Sequence, residues 1–240
     1  MKGISPTTAV LGTSNVADRL RGARRRPSDD AHDCPPRLVV CDDGARDDEL
    51  LSLPRPGRPA VLLLSDDEPG LARRILRLPG WSGARVLGMG TSAMSLRLRA
   101  GIAARLRLAV EHVQAWIAGS RRSPVPLWSS ATAAGIPLSD WRVMGHGRLT
   151  VRDRAELLQM AIGDADDADE ALLAVCAAIV GAENRVLSVA SSLANVDADL
   201  DGAWLSWPTI VNDGGAEALL PLKLNDAERA ALRAQAAAMS

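Results

Sequence analysis

The sequence predicts an α/β fold, and three features predict it. Leu38-Val39-Val40-Cys41 and Ala60-Val61-Leu62-Leu63-Leu64 are unbroken apolar runs bounded by Gly, Pro and Asp, the pattern of parallel strands buried on both faces. Strand and helix patterns alternate as far as Val86-Leu87. Beyond that, short alternating strands precede a capped terminal helix.

In chain order, Ala9-Val10-Leu11 reads as a short strand, followed by a Gly12 turn and a helix from about Val16. Arg24 to Pro36 is polar and reads as an exposed loop. After the two apolar runs, Glu68 to Leu78 has helical spacing and Val86-Leu87 is a further strand. From Ser92 to Leu108, Leu98, Ile102 and Leu106 fall one turn apart among arginines, which predicts an amphipathic helix. Val113 to Ala118 reads as one strand. The Pro-rich stretch Ser123 to Leu138 reads as an irregular crossing. Arg152 to Ile162 and Glu170 to Val180 read as helices on either side of the acidic run Asp164 to Asp169. Antiparallel strands are expected at Val186 to Val189, Ala203 to Trp207, Thr209 to Val211 and Leu219 to Leu222. Asn225, with Glu228 three positions on, forms a capping-box pattern that opens a last helix to about Met239.

Composition narrows the classes of function. With 28 Lys and Arg against 29 Asp and Glu, the formal charge is -1, so neither nucleic acid nor an anionic membrane is expected as a partner. No apolar run approaches the roughly 20 residues that span a bilayer, and no leader pattern opens the chain, which predicts a soluble cytoplasmic protein. Cys34, Cys41 and Cys176 form no C-x-x-C pair and are expected to be reduced. His32, His112 and His146 are too dispersed to suggest a metal site. Asp197-x-Asp199-x-Asp201-Gly202 imitates the start of a calcium loop, but its twelfth position is Pro208, so a hairpin turn is the expectation. The Arg19 to Arg26 cluster lacks interleaved aromatics and is balanced by Asp29, Asp30 and Asp33.

Three stretches resemble the lactate/malate dehydrogenase family. Arg85-Val86-Leu87-Gly88-Met89-Gly90-Thr91, with Arg97-Leu98-Arg99 six residues on, resembles its R-V-I-G-x-G-T and R-F-R segment. Val113 to Gly119, Val125 to Ser129 and Ala134 to Leu138 resemble its strand, active-site loop and following P-V-W-S and A-G-x-P motifs. Arg185-Val186-Leu187, the hairpin from Trp207-Pro208 to Gly215 and the helix from Leu222 to Met239 resemble its C-terminal sheet and last helix. The resemblance covers roughly residues 60 to 240. It implies a truncated Rossmann-like parallel sheet over residues 1–88, followed by a dehydrogenase-type C-terminal α+β domain over residues 89–240.

The departures from the family pattern bear on chemistry. The family loop G-E-H-G-D-S carries the proton-exchanging His; here it reads Gly119-Ser120-Arg121-Arg122-Ser123. A serine hydroxyl does not titrate near neutrality as imidazole does. The acid that orients that His in the family falls on Met94, whereas Arg97 matches the arginine that grips the substrate carboxylate. The dinucleotide fingerprint is reduced to Gly12-Thr13-Ser14-Asn15-Val16-Ala17. Only 19 residues separate Cys41 from Val61, where the family has a longer section bearing a mobile loop and an arginine, for which Arg46 and Arg55 are poor substitutes. The family's N-P-V-D turn falls on Asp66-Asp67-Glu68-Pro69, placing a carboxylate where an amide touches substrate and nicotinamide.

These losses lead to the expectation that the chain is not a working dehydrogenase and uses no cofactor. The leading expectation is an enzyme of specialised-metabolite biosynthesis that performs a non-redox step such as cyclisation in the old cleft. Asp66, Ser120 and Arg97 would be its catalytic groups, and Arg97, Met94, Trp116, Arg121 and Trp128 would contact an apolar small molecule. Asp66 becomes a base only if Met94, Trp116 or Trp128 desolvates it. For Ser120 a plain turn role, and for Arg121 and Arg122 a solvated pair, stand beside the functional readings. The alternatives are a non-catalytic assembly partner and a residual NAD-dependent 2-hydroxy-acid oxidoreductase. The resemblance also implies a homodimer.

Overall fold

The computed structural model describes residues 8–11, 37–53, 59–142, 149–163 and 168–239. The Val16 helix, the Gly12 to Ala17 fingerprint, the Arg19 to Arg26 cluster, the Arg24 to Pro36 loop, Arg55, His146 and most of the Asp164 to Asp169 run lie outside them. Two compact units divide the chain. One comprises residues 1–89, 173–187 and 209–218, the other residues 90–172, 188–208 and 219–240.

The first unit is built on parallel strands β1 (Thr8–Leu11), β2 (Leu38–Cys41), β3 (Ala60–Leu63) and β4 (Val86–Gly88). They pair in chain order, with Leu38 opposite Ala60 and Val61 opposite Val86. Every residue of β2, β3 and β4 is buried, as their uninterrupted apolar sequence requires. Helix α1 (Asp47–Leu51), which the sequence pattern does not predict, falls within the short section after β2. Helix α2 (Glu68–Leu76) starts at Asp67, whose side chain accepts the Gly70 amide, and presents Leu71, Ala72 and Ile75 inward. A doubly wound sheet reverses its strand order beside the first strand and takes its ligand there. Among the described residues β1 is the sheet edge and no reversal occurs. The fold is therefore Rossmann-like but truncated.

The second unit is organised around α3 (Ser92–Leu106), whose Leu98, Ile102 and Leu106 are buried one turn apart. With Val113, Ala115, Ile117, Leu138, Trp141 and Leu157 they form one apolar core. The expected single strand at 113–118 is two strands, β5 (Val113–Gln114) and β6 (Ile117–Ser120), which join different sheets. Thr91 and Ser95 explain part of the break. Thr91 Oγ1 donates to the Ile117 carbonyl and Ser95 Oγ accepts the Ile117 amide, so side chains of α3 and its cap fix the backbone where the strand restarts. The expected irregular crossing contains β7 (Ser123–Pro126), β8 (Thr132–Ala133) and β9 (Ile136–Pro137), and β6 pairs antiparallel with β7.

Strands β10 (Arg185–Ser192) and β11 (Trp204–Asn212) contribute residues to both units, and β12 (Gly215–Leu219) pairs with β11. The two strands expected at 203–207 and 209–211 are one: Pro208 lies inside β11, and its carbonyl accepts the Leu220 amide. Helices α4 (Val151–Ile162), α5 (Ala168–Gly181) and α6 (Asp226–Met239) match the helical patterns. At the start of α6 the capping box forms as expected: Asn225 Oδ1 accepts the Glu228 amide at 2.9 Å and Glu228 Oε2 accepts the Asn225 amide at 3.1 Å.

Candidate functional site

In the first unit the candidate groups lie on the turns that leave β2 and β3. Asp42, buried, accepts the Gly44 amide at 2.8 Å and so closes the turn after β2. Ser65 Oγ donates to Asp43 Oδ1 at 2.6 Å and accepts the Asp67 amide at 2.9 Å, which ties the two turns together. Asp66 stands exposed between these residues, without the burial that a desolvated base needs. Arg46 is exposed and engaged twice by Asp48, at 2.7 and 3.1 Å, so it is committed to its own helix start.

In the second unit Met94 and Arg97 lie on α3, Trp116 just before β6, Ser120 at the end of β6, Arg121 in the turn after it and Trp128 after β7. Arg97 is half-buried, and its Nε donates to the Ala161 carbonyl at 2.8 Å, which anchors the guanidinium on the last turn of α4. Met94 and Trp128 are half-buried and pack against the same apolar core. Trp116 is buried, with the Arg99 guanidinium 4.9 Å from its ring centroid. Burial pulls Arg99 below the usual arginine range. The Arg154 guanidinium lies 5.4 Å from the Trp128 ring centroid.

Ser120 ends β6, and Arg121 and Arg122 form the exposed two-residue tip before Ser123. Ser120 Oγ accepts the Ser123 amide at 3.1 Å, so the hydroxyl closes the turn it occupies. Two groups on α6 were not singled out as site residues in the sequence. Gln235 Oε1 accepts the Ser120 amide at 2.8 Å, and its Nε2 donates to the Ser123 carbonyl at 2.8 Å. Glu228 is buried and accepts both the amide and the hydroxyl of Ser129. The capping pattern marked Glu228, but nothing local marked Ser129 as its partner.

The Asp197 loop is not arranged for calcium. Asp197 is paired with Arg229 at 2.6 Å and with Arg233 at 3.5 Å, and Arg233 also pairs with Asp199. Among the described residues no group of three or more His, Cys, Asp or Glu is placed to hold a metal ion, and no helix is long and apolar enough to cross a membrane.

A parallel strand-and-helix unit joined to a unit of antiparallel hairpins and a capped terminal helix defines a Rossmann-like protein of dehydrogenase type. Comparison with known proteins makes this specific. The chain is 33% identical over 174 residues to the L-lactate dehydrogenase of Bifidobacterium animalis subsp. lactis, covering 67% of this chain and 54% of that protein. It is 25% identical over 217 residues to L-lactate dehydrogenase 1 of Listeria monocytogenes, covering 87% and 68%. The crystal structure of a lactate dehydrogenase enzyme from a Medee basin deep-sea metagenome library superposes with a TM-score of 0.77 at 20% identity, covering 100% of this chain and 97% of that one. No family model matches the sequence. The chain belongs to the lactate/malate dehydrogenase family, and it spans about half the length of the first curated relatives it matches.

The expectation of a repurposed, non-redox cyclising enzyme is corrected by these findings. The curated relatives that match the sequence are named L-lactate dehydrogenases, and none is named for a cyclisation. That expectation rested on missing groups, and the absence of an imidazole supplies no group for a different reaction.

Proposed function

We propose that the protein is a nicotinamide-dependent 2-hydroxy-acid oxidoreductase of the lactate dehydrogenase kind that works without an imidazole. The observation that carries this reading is the 33% identity to an L-lactate dehydrogenase, together with Arg97 anchored on α4. The acid-rich turns after β2 and β3 suit the carboxamide and the cationic ring of oxidised nicotinamide better than a pyrophosphate. Asp66, exposed on the turn after β3, would hold that end of the group, which departs from the expectation of no cofactor. When bound, the dinucleotide supplies the two-electron acceptor or donor.

The chain's own groups divide the remaining work. Arg97 binds the substrate carboxylate by a charge-assisted fork, with its Nε already held by the Ala161 carbonyl and therefore oriented. Met94 and Trp128 offer apolar cover. The hairpin carries Ser120 and Arg121 and no imidazole, so at the reacting hydroxyl the proton passes to water. A positioned general acid-base is worth about 10² to 10⁴ in rate, and turnover is expected to be lower by that factor than with an imidazole in place.

The test is coenzyme-dependent conversion of pyruvate and lactate, with Arg97→Lys and Arg121→His alongside the native chain. Slow native turnover, a raised KM for Arg97→Lys and a raised kcat for Arg121→His are expected. No conversion by any of the three, together with no binding of either coenzyme form, overturns the reading. The alternative is a non-catalytic partner that assembles with a second copy or with an intact dehydrogenase. The hairpin tip favours it, because Arg121 and Arg122 stand where the family carries its proton-exchanging residue.

A further inference from the structure

The hairpin that bears Ser120 and Arg121 is gripped from outside by a side chain 115 residues away. The primary amide of Gln235 spans its mouth. Oε1 accepts the Ser120 N–H of β6, and Nε2 donates to the Ser123 carbonyl of β7, each at 2.8 Å. One planar amide thus engages a donor on one strand and an acceptor on the other, a geometry that fixes both spacing and orientation. Gly119 makes room for it. Its φ is +86°, and a Cβ there would lie 2.8 Å from Gln235 Oε1 and 3.0 Å from the Ser123 carbonyl oxygen. Ser120 Oγ completes the closure by accepting the Ser123 amide.

The same helix secures the far end of the segment. Glu228, two turns before Gln235, accepts the Ser129 amide at 3.0 Å while it caps its own helix through Asn225. Helix α6 therefore holds the chain at 120, 123 and 129, and Arg121 and Arg122 form the exposed turn between the first two contacts.

We propose that Gln235 is a positioning residue of the 2-hydroxy-acid site: its amide sets where the hairpin tip, and the group at position 121, stand. The functional half of this inference rests on the oxidoreductase reading; the clamp itself does not. Gln235→Leu preserves bulk and removes both hydrogen bonds. Gln235→Glu keeps the acceptor for Ser120 and sets a carboxylate against the Ser123 carbonyl.

Native-state hydrogen exchange of the full chain tests the clamp without activity. In Gln235→Leu the Ser120 amide is expected to exchange about tenfold faster, with Ile117 unchanged, as loss of one amide hydrogen bond from a locally opening unit implies. Equal acceleration at Ile117 and Ser120 would mean general loosening, and no change at Ser120 would mean no clamp; either overturns the proposal. Kinetics in the Arg121→His background test the position. Adding Gln235→Leu is expected to lower kcat about tenfold while leaving the KM for pyruvate unchanged, because Arg97 still binds the carboxylate. A raised KM with kcat retained overturns the assignment. If no variant turns over, the oxidoreductase reading fails on its own, and exchange at Ser120 still decides the clamp.

Discussion

Glu228 and Ser129 are joined twice across 99 residues: the buried carboxylate accepts the serine amide through Oε1 and the serine hydroxyl through Oε2. Oε2 also accepts the Asn225 amide. One side chain thus finishes the N-terminus of α6 and fixes the turn after β7. Removing it should cost more than an ordinary cap. Glu228→Ala is expected to destabilise the protein by about 1 to 2 kcal/mol, the upper part of the range for a lost cap, because Ser129 and Asn225 lose their shared acceptor together. The shift in urea midpoint reads it, and a change within about 0.5 kcal/mol, as for an exposed surface site, would contradict it.

Cys41 and Cys176 are buried, and desolvation pushes both thiols from the ordinary 9.0 up to about 12. Their thiolates are therefore suppressed in the fold. Neither is expected to react with a thiol reagent at pH 8 until the protein unfolds. Peptide mapping after labelling checks this residue by residue, and native labelling at either position would refute it. The linkage has a definite sign. The protonated thiols contribute stability that is complete below the unfolded value and is lost as pH rises towards 12, so stability should decline above about pH 9.

Arg99 pairs with Trp116 through its ring face, and its Nε reaches the Ser95 carbonyl at 3.4 Å. Burial pulls its pKa down, the mark of a guanidinium that has lost hydration. Among the described residues no carboxylate pairs with it. Arg99→Met, which keeps apolar length against Trp116, is expected to leave stability unchanged or raise it. Arg99→Ala removes that packing and should cost about 1 kcal/mol. Thermal midpoints of the two variants distinguish packing from charge; equal losses in both would show that the charge itself stabilises.

Asp197 is held below the usual carboxylate range by the Asp199 amide first and then by Arg229 and Arg233. A depressed carboxylate contributes stability above its unfolded value and loses it as pH falls through the folded one. Asp197→Asn should therefore flatten the acid limb of the stability profile below about pH 4, measured by denaturant titration across pH. The arginines already occupy the carboxylates, so millimolar calcium is expected to leave the thermal midpoint of the native chain unmoved. A calcium-dependent rise would restore the ion-loop reading.

Local pattern alone made much of the fold legible. Strands β2 and β3 announced their burial by having no polar face, α3 by the one-turn spacing of Leu98, Ile102 and Leu106, and α6 by Asn225 and Glu228. Helix α1 was hidden because five residues carry too little periodicity to register. The split between β5 and β6 was hidden because apolar continuity does not report which sheet a residue joins.

Family membership, the truncated parallel unit and the loss of an imidazole from the hairpin were all determined by residue type and spacing. Tertiary structure decided how the chemical groups are held: Arg97 by the Ala161 carbonyl, Ser120 and Ser123 by Gln235, Ser129 by Glu228, Arg99 by Trp116. Hydrophobic periodicity is a property of neighbouring residues and survives in the sequence. A hydrogen bond between positions 64 to 115 residues apart exists only once packing has brought a donor and an acceptor to within about 3 Å, and no local spacing encodes that approach.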